Sequence, residues 1–144
     1  PRGPVMRVIR FRARDGLDLA ATEWPGPEGR TPVLCLPGLT RSARDFDALA
    51  ARHAGTRRVV ALDHAGHGES ARPAEPSRYA IPESLRDVTD AMAALHLPRA
   101  VFVGTSYGGI LTMAMAVLRP TAIAGAALND IGPRLEEVGL DHVT

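Results

Sequence analysis

At 144 residues the chain is long enough for one domain that buries roughly two-thirds of its unfolded surface. With 17 basic against 16 acidic side chains and only 4% aromatic residues, it offers neither the charge footprint nor the stacking surface of a nucleic-acid binder, and no attraction to an anionic membrane. The one cysteine, Cys35, lies in the apolar run Val33–Leu36, so it reads as core packing and no intrachain disulfide can form; with no secretory leader and no apolar run of membrane-spanning length, a soluble, cytoplasmic protein is the default expectation.

The first segment alternates. Ile9, Phe11 and Ala13 share one face, Arg10, Arg12 and Arg14 the other, Asp15-Gly16 supplies a two-residue hairpin signal, and Leu17, Leu19 and Ala21 alternate again. This predicts an antiparallel hairpin with one wet face, ended by the loop Pro25-Gly26-Pro27-Glu28-Gly29. From Val33 the texture changes. Val33–Leu36, Val59–Leu62, Ala100–Val103 and Ile123–Leu128 are continuous apolar runs, the mark of strands covered on both faces. Between them lie helix-period segments. Ser42 and Asp45 read as a capping pair for a helix that turns Phe46, Leu49 and Ala50 inward. Pro82 suits a first helical turn, followed by Leu85, Val88, Met92 and Leu95 on one stripe. Gly109–Leu118 is apolar nearly all round, which predicts a buried helix. Strand–helix alternation of this kind means an α/β fold, a mostly parallel sheet with helices on both faces and ligands at the carboxyl ends of its strands.

One such end carries chemistry. Val101-Phe102-Val103-Gly104-Thr105-Ser106-Tyr107-Gly108-Gly109 reads as strand, tight turn and helix, and Gly104–Gly108 fits the G-x-S-x-G nucleophile elbow. A serine forced onto so sharp a turn sits in a strained conformation with its hydroxyl pushed outward. Neighbouring chain passes so close that Gly104 and Gly108 have no room for a Cβ. The helix that follows aims its first N–H groups near the serine, where a developing oxyanion would sit.

Two further stretches share the pattern in order and spacing. Leu36-Pro37-Gly38-Leu39-Thr40 follows the third strand, and Asp63-His64-Ala65-Gly66-His67-Gly68-Glu69-Ser70 follows the fourth as D-x-x-G-x-G-x-S. With the elbow after the fifth, the chain from Met6 onward resembles the α/β-hydrolase superfamily. The resemblance implies Ser106 as nucleophile and an oxyanion hole built from the backbone N–H groups of Leu39 and Tyr107. Thr40, Arg41 and Tyr107 become pocket-wall residues, and Arg41 a site that could attract a substrate carboxylate. Many members carry His-Gly where this chain has Pro37-Gly38, which changes what supports the loop.

A serine needs a base, and the resemblance implies the chain order serine, acid, histidine. After Ser106 the only histidine is His142. His64 and His67 lie on a loop at the correct edge of the sheet but read first as turn-stabilising residues; as an H-x-x-H pair they lack a third metal ligand, so no metal is expected. His53 and His96 fall at helix ends, and Glu136 and Glu137 on a solvated helix face. For the acid, Asn129 occupies the sixth-strand position used by some members, but an amide cannot stabilise an imidazolium by charge; Asp130, one residue on, is the candidate. Six strands are read against the family's usual eight, and the last leaves an apolar edge. The expectation is therefore that residues 1–130 form the N-terminal part of the core and 131–144 begin a cap. The last strands and the catalytic histidine would come from a complementary C-terminal chain or fragment.

The implied activity is cofactor-free hydrolysis of a small-molecule ester or related acyl compound through an acyl-enzyme on Ser106. A lactonase, a C–C bond hydrolase and an acyltransferase use the same elbow. Epoxide hydrolases and haloalkane dehalogenases need an aspartate nucleophile, against Ser106. From another class, a non-catalytic binding protein could keep the pocket without a working triad.

Overall fold

The computed structural model describes residues 6–53 and 55–129. The N-terminal alternation becomes strands β1 (Arg7–Arg12) and β2 (Asp18–Trp24), paired antiparallel from Arg7↔Glu23 to Arg12↔Asp18. Their connection is longer than the two-residue turn expected from Asp15-Gly16. Ala13 N–H donates to the Leu17 carbonyl at 2.9 Å and Gly16 N–H to the Ala13 carbonyl at 2.8 Å, so three residues span the tip. Gly16, at φ 89°, takes the left-handed position that such a loop requires.

The four apolar runs become β3 (Val33–Leu36), β4 (Val59–Asp63), β5 (Ala100–Thr105) and β6 (Ile123–Asn129). The sheet order is β1-β2-β4-β3-β5-β6, with β4, β3, β5 and β6 mutually parallel and the hairpin joined antiparallel through β2 and β4. Successive side chains of a strand point to opposite faces, so each run feeds two cores at once. Leu34, Leu36, Val60, Leu62 and Phe102 pack on one face against helices α2 (Ile81–Ala94) and α3 (Tyr107–Leu118). Val33, Cys35, Val59, Val101 and Val103 pack on the other against Phe46 and Leu49. Full burial of one such side chain is worth about 1.5–3 kcal/mol.

Three further sequence expectations need correction. Ser42 caps, but what it caps is a 3-10 turn, Ala43–Phe46: its Oγ accepts from Arg44 N–H at 3.2 Å, while the Asp45 carboxylate turns away to Arg41 and helix α1 begins only at Asp47. Arg14, expected on a wet face, is drawn into an ion-pair lattice. The Arg78 guanidinium, with its side chain 9% exposed, grips both oxygens of Asp87 at 2.9 and 2.7 Å and reaches Asp15 at 2.8 Å. Arg14 bridges the same Asp87 to Asp90 and Glu83, so the hairpin tip is bolted to α2. Finally, α3 is not buried all round. Ile110, Met113, Val117 and Leu118 are exposed, because among the described residues α3 packs chiefly on β3, β5 and the edge strand β6, on α2 and on the 3-10 turn Pro120–Ala122, which leaves its outer face uncovered. No helix among the described residues is long and apolar enough to cross a membrane.

Candidate active site

Ser106 sits between the end of β5 and the start of α3 with φ 55° and ψ −112°, a left-handed conformation that a side chain rarely adopts. The junction is over-determined by its neighbours. A Cβ on Gly108 would collide with the Leu36 carbonyl, and one on Gly104 with the Gly108 carbonyl and Thr112 Oγ1. The Ser106 N–H donates to the Asn129 carbonyl at 3.1 Å, tying the turn to the end of β6, and the Ser106 carbonyl accepts from Gly109 and Ile110 as α3 begins.

The loop after β3 lies directly on this turn: a Cβ on Gly38 would stand 3.4 Å from that of Ser106. Thr40 in this loop also has positive φ, 65°. Arg41 N–H donates back to the Gly38 carbonyl at 3.3 Å, and among the described residues neither Leu39 N–H nor Tyr107 N–H, at the open first turn of α3, has a backbone acceptor. Two strained non-glycine residues thus flank two unspent donors.

The ends of the loop are held by the last residue of β4 and the stretch that follows it. Asp63 accepts from Ala43 N–H at 2.8 Å and from Glu69 N–H at 2.9 Å, while Ser70 Oγ donates to the Asp63 carbonyl at 2.6 Å and accepts from Ala20 N–H at 2.9 Å. His64, buried, bonds through Nε2 to the Pro37 carbonyl at 2.8 Å. Burial holds its imidazole below the usual histidine range in spite of that bond. His67 makes only a local contact, Nδ1 to the Ala65 carbonyl at 3.0 Å.

A cavity of about 540 Å³ opens over the serine. Gly38, Leu39, Thr105, Ser106 and Asn129 form its floor, and Arg41, Asp45, Phe46 and Leu49 its wall. Arg41 is held by Asp45, Nε to Oδ2 at 2.8 Å, and this bond raises its pKa further. Asn129 brings a side-chain oxygen that is buried and accepts no hydrogen bond among the described residues. The Thr40 and Tyr107 side chains are not on the wall. Tyr107 turns into the core, where its hydroxyl donates to Ser84 Oγ at 2.8 Å. Asp45, Phe46 and Leu49 went unnoticed as wall residues because the sequence marks them only as helix cap and core; their place one turn after the loop is the signal that would have found them.

No histidine among the described residues lines this cavity: His64 and His67 are spent as above, and His53 and His96 stand at the ends of α1 and α2. Asp130, Glu136, Glu137 and His142, with the expected cap start at 131–144, lie outside the described residues. Among the described residues no group of three or more histidine, cysteine or acidic side chains is placed to hold a metal ion.

The comparisons with known proteins agree with this geometry. The model of the alpha/beta hydrolase fold matches residues 31–142, more than half of the chain. A 3-hydroxybutyrate-oligomer hydrolase of Cupriavidus necator is 34% identical over 125 residues, which cover 87% of this chain and 43% of the relative. A bifunctional epoxide hydrolase 2 of Sus scrofa is 38% identical over 105 residues, 70% of this chain and 19% of its own. The crystal structure of an alpha/beta hydrolase from Novosphingobium aromaticivorans superposes with a TM-score of 0.83 at 42% identity, covering 94% of this chain and 48% of that one. The chain therefore spans less than half the length of these relatives. By its sequence, its sheet order and its strand-to-helix junction, the chain belongs to the family of the α/β-hydrolase fold.

Proposed function

We propose that the protein is a serine hydrolase of carboxylic esters or related acyl compounds. The observation that carries this reading is the left-handed Ser106 at the floor of a cavity, with the unspent N–H groups of Leu39 and Tyr107 beside it. Ser106 Oγ attacks the acyl carbon as its proton passes to a histidine imidazole. The carbonyl π pair moves onto oxygen, where the two N–H groups stabilise it. Collapse expels the alkoxide leaving group, which takes the proton from the imidazolium. Water, deprotonated by the same imidazole, then attacks the acyl-enzyme and releases the acid and Ser106. A working donor of this kind lowers the barrier by about 3 kcal/mol.

The histidine and its acid partner belong, in this proposal, to polypeptide other than the described residues. A complementary C-terminal segment or chain would bring them, with the remaining strands, to the β6 edge. The family's longer members and the exposed apolar side chains of α3 support this. The lactonase, C–C hydrolase and acyltransferase readings share every step up to the acyl-enzyme and differ in what attacks or leaves.

One observation favours a second reading, a non-catalytic binding protein: no described histidine faces Ser106. A fluorophosphonate probe separates the two. Covalent labelling of the intact protein, abolished by Ser106→Ala, supports the hydrolase; saturable binding of a short acyl compound without labelling supports the binder.

A further inference from the structure

His64 sits where neither of the roles first considered for a loop histidine would use it. It does not face the serine cavity, and it does more than stabilise its own turn. Its ring, 5% exposed, reaches across to the loop after β3 and bonds the Pro37 carbonyl at 2.8 Å. A carbonyl only accepts, so Nε2 carries the proton. The same ring stands edge-on to the ring of Tyr107, with centroids 5.6 Å apart and planes at 88°. Pro37 lies two residues before Leu39, and Tyr107 follows Ser106, so one side chain touches both segments that present the N–H groups assigned to the oxyanion.

We propose that His64 is a positioning residue for the oxyanion hole of Ser106, setting the spacing and direction of the Leu39 and Tyr107 N–H groups. The proposal rests on the serine-hydrolase reading and adds a residue to it. Proline has no N–H, so at Pro37 the carbonyl is the only backbone group by which the loop can be held. All described peptide bonds are trans, and a trans peptide is planar. Fixing the Pro37 carbonyl therefore fixes the plane of the Pro37–Gly38 peptide and the path of the chain into Leu39. The far end of the loop is held by the neighbouring side chain, since Asp63 accepts from Ala43 N–H at 2.8 Å. Two consecutive residues, the last of β4 and the first after it, thus clamp both ends of a loop whose middle carries the strained Thr40. On the other side of His64, Tyr107 cannot swing away, because its hydroxyl is bonded to Ser84 at 2.8 Å on α2. Neutral and protonated imidazole both donate from Nε2, so the bond survives titration and the clamp is a fixed one.

The test uses the intact protein carrying His64→Phe, which keeps an aromatic edge against Tyr107 but has no donor. His64→Asn, too short to reach Pro37, and His64→Gln, long enough to donate, accompany it. The readouts are the rate of fluorophosphonate labelling, kcat and KM for p-nitrophenyl butyrate, the affinity for butyrate as a ground-state ligand, and the thermal midpoint. Misaimed donors weaken the tetrahedral state alone. The expected result is labelling and kcat reduced about tenfold to a hundredfold in His64→Phe and His64→Asn, a fraction of the loss for a deleted donor. KM and butyrate affinity stay within about twofold, and His64→Gln recovers most of the loss. Labelling and kcat that are indifferent to all three substitutions overturn the proposal, as does a loss of labelling that merely follows lost butyrate affinity and a lowered thermal midpoint. Absence of labelling in the unsubstituted protein would instead overturn the serine-hydrolase reading, and this inference with it.

Discussion

The two edges of the sheet are finished differently. At the β1 edge, polar groups close the structure. Glu23, with its side chain 6% exposed, takes Arg7 at 2.7 Å and Arg58 at 2.6 Å, and the hairpin tip is bolted to α2 through Arg14, Asp15, Arg78 and Asp87. Burial alone would raise the pKa of Glu23, but the hydrogen bonds from Arg7 and Arg58 outweigh it and hold the carboxyl below its usual range. At the β6 edge no such closure exists among the described residues. Leu128 on the strand and Ile110, Met113, Val117 and Leu118 on α3 are exposed, Val117 by 79%. Charge lattices satisfy themselves and leave nothing for a neighbour to add. An apolar face gains only by being covered, and a row of such side chains beside an edge strand is how a protein presents an interface. The serine lies nearer the unfinished edge, because its turn is tied to β6 through Asn129.

Four variants would break or sharpen this contrast. The largest effect is expected at the elbow between the two edges. Gly108→Ala sets a methyl against the Leu36 carbonyl, backbone that cannot move without shifting β3. The expected loss is about 3 kcal/mol or more in a denaturant titration, with Ser106 no longer labelled. Stability unchanged by this methyl would mean the strand and helix approach less closely than described. Next comes the closed edge. Asp87→Leu leaves Arg78 and Arg14 without their shared carboxylate, and the expected cost is about 3 kcal/mol, the low end for breaking a buried pair, because Asp15, Asp90 and Glu83 still face the two arginines. A midpoint that hardly moves would make the lattice a decoration of the surface.

Third is the open edge. The pair Met113→Glu and Val117→Lys alters positions exposed among the described residues, and on a face left uncovered it would change stability by no more than about 0.5 kcal/mol. A loss of several kcal/mol in the intact protein would show that further polypeptide covers this face. The smallest effect is acidic. The Arg78 hydrogen bond holds the Asp15 carboxyl down at about 2, against an ordinary value of 3.8. A carboxyl depressed in the folded state contributes its stability above the unfolded value and loses it as pH falls through the folded one. Asp15→Asn should therefore remove a small contribution that is fully present at neutrality and flatten the fall in stability from about pH 4 to about pH 2, so that the two proteins converge at the acid end. The carboxylate is 47% exposed, so the contribution is slight.

The sheet was legible because its signal is local. A continuous apolar run of only four or so residues between turn signals reads as a strand covered on both faces, and Val33–Leu36 and Val59–Leu62 sit buried in the sheet. The crowding at Gly104 and Gly108 was legible for a similar reason, since a strand-serine-helix turn brings backbone within reach of both positions. The exposure of α3 was not legible. An apolar helix carries no mark of whether its outer face meets protein or water, and Val117 differs from Leu111 only in what stands beside it. Nor could the sequence show that Arg14 leaves its expected wet face, because its partners lie more than sixty residues away on α2.

By itself, then, the sequence determined the order of strands and helices, the family and the place of the strained serine, all of which follow from steric and apolar patterns within a few residues. Which groups meet across the chain was decided by tertiary structure alone. Asp63 and His64 hold opposite ends of the loop that begins at Pro37, and Arg41 faces Asp45 on the cavity wall. Hydrogen bonds reach about 3 Å and depend on direction, so they exist only where the packed sheet has already brought donor and acceptor together.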